Sequence, residues 1–584
     1  MRSHNRLWRD TMICSTIIWI YLLLGWFHWR FVLVPAKPDE IAHLVYVADI
    51  LRGRLWPVMD PHPKAPCPLD ERFQPPLYYW ISALILWPTH MGWPEDWAVA
   101  NPFFLVGAPR GNATPCLVFP QGMAPLMAGR IWSWLLGCLT VCGLYRGGRA
   151  WLSRKGAALA AILGATFPSL LFYQTGISNI ALFTPLNALA LSEMAWIGRR
   201  RPSRTRWVRM LVLLVLSFYT RMEALLLLIP MTFLIWRSPR SIRPLRGRSG
   251  TVWLGISLGL ASMLLLRNLA LYGTPLAQVG LEQVARGQAV SLSQWIRRES
   301  IDFLKATLIN LGQGFIFAPE WLYGILGGSL LVGMLGWIAR GLRKEIPSVA
   351  GMLALHAGAL LVSSVALSLH YFAGGPRYIG TAGVSWFWLW AGGWEGWGRG
   401  PWRARAIMGA MFTVYAVGVL AILHGVLPVY VPRPAARAAS PIARIGEGII
   451  LHRARIEPTR ARPGDVITVH LTWEARQPVD GNYAVFVHAL DPQQPRILAQ
   501  EDTFPFYGHY PTMLWTPGRP FEEVHHIQLP STLDVPTVRL TAGLYRYETG
   551  ERLPAFAADG TRFHAGGPDA IPIGIVEIER PSEP

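Results

Sequence analysis

Six groups of basic residues divide the first 430 positions into apolar runs, and this alternation constrains the fold more than any other feature. The groups are Arg2, Arg6 and Arg9; Arg146, Arg149, Arg154 and Lys155; and Arg199, Arg200, Arg201, Arg204, Arg206 and Arg209. They continue with Arg237, Arg240, Arg243, Arg246 and Arg248; Arg340, Arg343 and Lys344; and Arg399, Arg403 and Arg405. Between them lie stretches close to the ~20 residues that cross a bilayer. TMICSTIIWIYLLLGWFHW, Thr11–Trp29, is one. Basic residues in short gaps between such runs mark the cytoplasmic side.

Placing those groups inside predicts a polytopic α-helical membrane protein of about 11 spans, with its N-terminus cytoplasmic. The expected spans are 12–34, 126–144, 157–173, 177–197, a hairpin of two around YTRMEALLL, 252–271, 321–338, 348–369, 379–394 and 406–427. The first run is long and no small-residue cleavage site follows, which reads as a retained signal anchor. Two external segments, 35–125 and 272–320, carry short apolar or amphipathic stretches expected to form juxtamembrane helices. ERFQPPLYYWISALILWP is one: it is too short to span and rich in interfacial aromatics.

Near position 441 the pattern changes. DVITVHLTWEA and NYAVFVHALD alternate at period two, and turn signals follow at short intervals. This predicts an extracytoplasmic all-β sandwich over 441–584, after a transmembrane domain over 1–430.

The net charge of +19 raises the question of nucleic acid. The positions answer it: the charge sits in loops between apolar runs, with no basic, aromatic-interleaved soluble face, so no nucleic-acid partner is expected. Five cysteines show no metal spacing. Cys67 and Cys116 fall in an external segment where oxidation is permitted, and a bridge or two free thiols remain alternatives.

Under this topology, polar residues gather at the outward ends of spans. They are Asp39, Glu40 and His43; Glu71, Gln74 and Tyr78; Arg130; Asn179; Arg221; Arg267, Asn268 and Tyr272; and His370, Arg377 and Tyr378. Asp39 and His43 are four apart, a spacing that shares one helix face. Each residue also has a plainer reading. Asp39 would cap a helix. Arg221 would reach headgroups or pair with Glu223. Tyr78, Tyr79 and Trp80 would anchor at an interface. His356 would be a satisfied interior histidine, Glu193 would pair with a base, and His488 would be a strand residue.

The ordered set PDEIAHLVYVADILRGRLWP, ERFQPPLYYW, LRNLALYGTPL and GGPRYIG resembles the GT-C fold membrane glycosyltransferases that use polyprenyl-phosphate sugars. The likeness is to the family 39-like group with the protein O-mannosyltransferases and the lipid A aminoarabinose transferase, and covers roughly residues 10–430. The resemblance implies that Asp39 is the base for the acceptor hydroxyl and that Glu40 orients acceptor or donor. It implies that Arg267 and Arg377, then Arg221, hold the donor phosphate, whose oxygens suit a guanidinium fork. Two departures stand out. Asn179 is followed by Ile180 where relatives often carry Asp, and GGPRYIG replaces QGRYL.

The donor expected is a polyprenyl-phosphate sugar. The other partners expected are membrane lipids and an unidentified external acceptor, with no obligate cofactor or metal. No nucleotide-sugar half of Rossmann type is present. Rival readings are a polyprenyl-lipid transporter or flippase, which needs midplane charges or repeats, and a non-catalytic envelope-assembly protein. In the β region, Phe506, Tyr507, Tyr510 and Trp515 are open between sugar stacking and core packing.

Overall fold

The structure is a computed structural model. It describes residues 2–32, 37, 39–59, 70–90, 99–103, 117–118, 123–199, 203–277, 290–312, 318–371, 383–397, 400–494 and 496–579. Cys67, Cys116, Arg377 and Tyr378 lie outside them, as does the side chain of His370. The chain divides into two units: one largely helical, formed by Met1–Val32, Lys37–Asp96 and Gly122–Leu427, and one mostly β, formed by Leu33–Ala36, Trp97–Gln121 and Pro428–Pro584.

In the helical unit, α1 is Arg2–Phe31, α2 Glu40–Leu51, α3 Leu77–Leu86 and α4 Met123–Trp151. Next come α5 (Arg154–Thr166), α6 (Pro168–Gln174), α7 (Ile180–Arg199), α8 (Arg204–Phe218) and α9 (Leu228–Arg237). The unit continues with α10 (Arg248–Tyr272), α11 (Leu292–Arg298), α12 (Ser300–Leu308) and α13 (Glu320–Leu342). It closes with α14 (Ser348–Tyr371), α15 (Val384–Trp394) and α16 (Pro401–Ala421).

Among the described residues, seven helices are long and apolar enough to cross a membrane, or up to nine if each of two bent pairs is one span. The eleven expected segments all contain helix. The span expected over 157–173 is a bent pair, α5 and α6, because Pro168 lacks the N–H that would continue the ladder. The second strand of the hairpin bends by 106° between Met222–Arg237 and Pro239–Leu245. Its first strand, α8, has 15 residues, and α15 has 11, both below the length of a span.

Helix α4 packs on α1, α5 and α7. Helix α7 is almost wholly buried, and α10 almost wholly uncovered. Glu193, buried on α7, is neutralised by Arg146 at 2.5 Å and Arg206 at 3.3 Å, as its place near an arginine group implied. His356 is buried against Ser385 Oγ at 3.0 Å, a satisfied interior histidine. Helices α13 and α15 touch backbone to backbone. A Cβ on Gly336 would collide with the Gly393 carbonyl, and one on Gly393 with the Gly333 carbonyl. Small residues permit this approach between apolar helices.

Short helices form in the segments where juxtamembrane helices were expected. Helix α3 has 10 residues, starts after Pro76 and hydrogen-bonds the end of α8 through Leu77 N to Tyr219 O at 2.9 Å. Helix α2 stops at Gly53, whose φ of 91° suits a residue without a Cβ. Ten of its 12 residues are buried. It is therefore an interior helix, not a surface one.

The β unit consists of β1 (Val99–Ala100), β2 (Leu117–Val118), β3 (Arg433–Pro434), β4 (Ala443–Ile445) and β5 (Ile449–Glu457). These are followed by β6 (Arg460–Ala461), β7 (Val466–Ala475), β8 (Tyr483–Leu490) and β9 (Ile497–Thr503). The last are β10 (Phe521–Gln528), β11 (Thr537–Arg546), β12 (Ala555–Phe556) and β13 (Ile571–Ile578). β1 and β2 pair with each other, a six-stranded sheet has the order β12-β4-β5-β7-β10-β3, and a five-stranded sheet the order β6-β13-β11-β8-β9. Along β7 the alternate residues Ile467, Val469, Leu471 and Trp473 have no exposed surface and form the core. Trp515 is buried against Phe521, ring centroids 4.9 Å apart, and Phe506 and Tyr510 pack on the same core. Those three aromatics are core residues. His488 lies in β8 and bonds Asp502 at 3.0 Å.

Candidate active site

The run KPDE enters α2 through a sharp backbone turn. Asp39 has φ 62° and ψ 7°, the left-handed region, which Asp tolerates better than most side chains. Its side chain makes no capping bond to α2, although its carbonyl accepts from His43 N at 3.0 Å. Asp39 thus occupies the N-cap position without a side-chain capping bond, and it stands before the helix instead of sharing a face with His43. Only His43 is in helical register.

Glu40 takes a different place. It is 1% exposed and faces Arg130, which is fully buried. Arg130 Nε donates to Glu40 Oε1 at 2.8 Å and Nη2 to Oε2 at 2.6 Å, a two-pronged pair. Arg130 Nη1 adds a bond to the Val32 carbonyl, and Ile177 N donates to Glu40 Oε1 at 3.0 Å. This pair ties α2 to α4 and to the start of α7. Beside it Lys37, also buried, donates to Thr175 Oγ1 at 2.5 Å and lies 5.6 Å from the Phe172 ring centre. Lys37 is a buried amine that the sequence reading does not single out. Its signal was its place in the same tetrapeptide as the two acids.

One turn along α2, His43 Nδ1 is 2.8 Å from Tyr79 Oη. Tyr46 stacks on Tyr79 at 3.8 Å, and its hydroxyl donates to the Gln74 carbonyl at 3.3 Å. Tyr78 points the other way along α3, its hydroxyl 2.9 Å from Ser133 Oγ on α4. Both tyrosines are fully buried, so neither acts as a surface anchor. Tyr79 is within electrostatic range of Glu71, buried in the turn before α3, and of Arg221. Arg221 grips Glu223 through two nitrogens, at 2.5 and 3.1 Å, and donates to Asn179 Oδ1 at 2.5 Å. Asn179 Nδ2 in turn donates to Gln74 Oε1 at 3.4 Å. Thus His43, Glu71, Gln74, Asn179 and Arg221, spread over 179 positions of sequence, meet around Tyr79.

The far end of α2 carries a second acid absent from the expected set. Asp49 accepts from Arg54 at 3.2 Å and Arg72 at 3.3 Å. Burial pushes its carboxyl above the usual range, with Arg72 and Arg54 pulling against it. Just beyond, Arg267 reaches from the end of α10 to lie over the Trp56 ring at 4.3 Å. It donates to the Pro57 carbonyl at 3.2 Å. Its Nη1 is buried without a hydrogen-bond partner, and among the described residues no carboxylate pairs with it. Tyr272 lies one turn on, its hydroxyl accepting from Met59 N at 3.3 Å. Asn268 is buried and donates to the Pro275 carbonyl at 3.2 Å, closing the turn after α10. His370 lies in the last turn of α14.

The three arginines are therefore not equivalent. Arg130 and Arg221 are paired with Glu40 and Glu223, whereas among the described residues Arg267 is paired with no carboxylate. Among the described residues no group of three or more His, Cys, Asp or Glu side chains could hold a metal.

No family model matches the chain, and no curated protein matches it. Among solved structures it is similar to ArnT from Cupriavidus metallidurans bound to undecaprenyl phosphate, with 14% identity and a TM-score of 0.43. That similarity covers 70% of this chain and 64% of that one. The apo ArnT structure gives 14% identity and a TM-score of 0.42 over 72% of this chain and 65% of the other. The chain thus spans a little under two thirds of the length of these structures. It is also similar to the archaeal oligosaccharyltransferase AglB from Archaeoglobus fulgidus, in complex with an inhibitory peptide and a dolichol-phosphate. There the identity is 11% and the TM-score 0.40, over 70% of this chain and 56% of that one.

Proposed function

We propose that this protein is an integral-membrane glycosyltransferase of GT-C type. It transfers a sugar from a polyprenyl-phosphate donor to an acceptor hydroxyl on the extracytoplasmic side. Arg267 carries the reading: among the described residues it is a guanidinium with no carboxylate partner, at the end of a helix whose apolar length is uncovered. A lipid chain lying along α10 would bring its phosphate to that level, and a guanidinium fork matches phosphate oxygens.

Asp39 supplies the base in this reading. The acceptor oxygen attacks the anomeric carbon and its proton passes to the Asp39 carboxylate. The bond from the anomeric carbon to the phosphate oxygen breaks, and polyprenyl phosphate leaves with the bonding pair. Arg267 stabilises the charge that develops on it. Glu40 acts through Arg130 by holding α2 in place and does not touch the reacting atoms. Donor and acceptor bind without an obligate metal or cofactor.

The test is release of polyprenyl phosphate from defined polyprenyl-phosphate sugars by the purified full chain in vesicles. Wild type should turn over at least one such donor, and Asp39→Asn should not. Full turnover by Asp39→Asn would remove Asp39 as the base. No turnover of any donor by wild type, with or without acceptor extracts, would overturn the reading.

A further inference from the structure

The other end of α10 presents a different arrangement. Arg204 opens α8 and Arg237 closes α9. The chain then bends by 106° into Pro239–Leu245, a tight 3-10 segment that carries Arg240 and Arg243. Arg246 and Arg248 lead into α10. This turn is fixed in place: buried Trp207 donates to the Ser241 carbonyl at 2.7 Å. Gly250 lies so close to Leu245 that a Cβ there would collide with the Leu245 backbone. The arginines are therefore held by folded backbone, not strung along a loose loop.

Beside them lies a shallow, open cleft of about 470 Å³ lined by Arg204, Gly247, Arg248, Ser249, Val252 and Trp253. Arg206 and Arg209, on the same helix as Arg204, are occupied by Glu193. By contrast, among the described residues Arg204, Arg237, Arg240, Arg243, Arg246 and Arg248 make no ion pair with a carboxylate. From the cleft, α10 continues with its apolar side chains uncovered: Val252 is 52% exposed and Leu258 60%. Trp236 and Trp253 are also exposed there, the side chains that favour the headgroup level.

We infer that this cleft is a binding site for an anionic phospholipid. Its phosphodiester sits between Arg204 and Arg248, and its acyl chains run along α10. Uncompensated guanidinium groups held close together repel one another, and an anionic headgroup relieves that repulsion. The continuous apolar strip selects a lipid over a soluble anion. The site is independent of the transfer reaction. Arg248 and Arg267 are 19 residues apart on α10, about 28 Å of helix rise.

The experiment is native mass spectrometry of the delipidated full chain in detergent. Phosphatidylglycerol, phosphatidylcholine of the same chain length and inorganic phosphate are titrated separately. Wild type should retain phosphatidylglycerol in preference to phosphatidylcholine. The pair Arg204→Gln and Arg248→Gln should weaken that binding at least about tenfold. The pair Arg403→Gln and Arg405→Gln, in another basic group, should leave it unchanged. The pair Arg204→Lys and Arg248→Lys, which keeps the charge, should retain the preference and so separates loss of the site from loss of the fold. Three outcomes would each overturn the inference: equal retention of both lipids, equal loss from both Gln pairs, or inorganic phosphate displacing the lipid at equal concentration.

Discussion

Glu40 and Arg130 are 90 residues apart in sequence and close a two-pronged ion pair inside the protein, at 2.6 and 2.8 Å. The acid immediately before Glu40 has no such bond to the helix it precedes. Two neighbouring carboxylates thus differ in one respect: Glu40 binds α2 to α4 through Arg130, and Asp39 makes no capping bond to the helix it precedes.

That division predicts opposite phenotypes. Glu40→Gln strands a buried guanidinium and should cost about 3–5 kcal/mol of stability. Thermal unfolding of the full chain in detergent reads it directly. Asp39→Asn should cost less than Glu40→Gln, because Asn keeps the shape and also accepts the left-handed backbone, while transfer is lost. A stable Glu40→Gln protein would show that Arg130 finds another counter-charge.

Arg267 should behave as a ligand group and not as a structural one. Arg267→Ala removes no carboxylate partner, only the Trp56 ring contact and a carbonyl hydrogen bond, so stability should fall by about 1–2 kcal/mol, less than for Glu40→Gln. Affinity for polyprenyl phosphate should fall about tenfold or more, as for loss of a charged hydrogen bond. Arg267→Lys should recover only part of it, since an ammonium lacks the planar fork. Equilibrium binding of a fluorescent polyprenyl phosphate measures all three.

His43 and Tyr79 should couple. Each of His43→Phe and Tyr79→Phe leaves a buried polar atom without its partner, at about 1–3 kcal/mol. The double variant should cost less than the sum, by about 0.5–1.5 kcal/mol. Unfolding midpoints of the four proteins test this, and strict additivity would mean the 2.8 Å contact contributes nothing.

The β unit carries a pH signature of its own. His525 is buried, which disfavours its charge. The Glu523 charge and bonds with Glu501 and Glu523 outweigh that and raise its pKa to about 10. A folded pKa above the unfolded value of about 6.5 gives stability that is full below pH 6.5 and lost as pH rises toward 10. Thermal unfolding of the full chain, followed by proteolysis within the β unit, should show that decline between those limits. His525→Gln should flatten it.

The sequence made the helices legible because apolar length is a local property. It did not reveal where helices bend. Pro168 marks one bend, but the 106° turn at Ser238 depends on Trp207, 31 positions earlier, capturing the Ser241 carbonyl. The buried state of α2 was hidden for another reason. Glu40, His43 and Asp49 look like groups that belong in water, and each is inside because a partner from another element meets it. Those partners, Arg130, Tyr79 and Arg72, lie between 23 and 90 positions away. The outward set of polar residues did gather its middle members around Tyr79. Pairing separated Arg130 and Arg221 from Arg267, and pairing is a property of three-dimensional contact.

The glycines where α13 meets α15 have a consequence over evolutionary time. With the Gly336 and Gly393 positions pressed against opposing carbonyls, no side chain of any chemistry can enter there while the helices keep their spacing. Lineages descended from this chain can vary the lipid-facing residues around that seam freely, but at the seam itself they have no neutral step to take. Two positions that carry no chemistry should therefore drift more slowly than many that do.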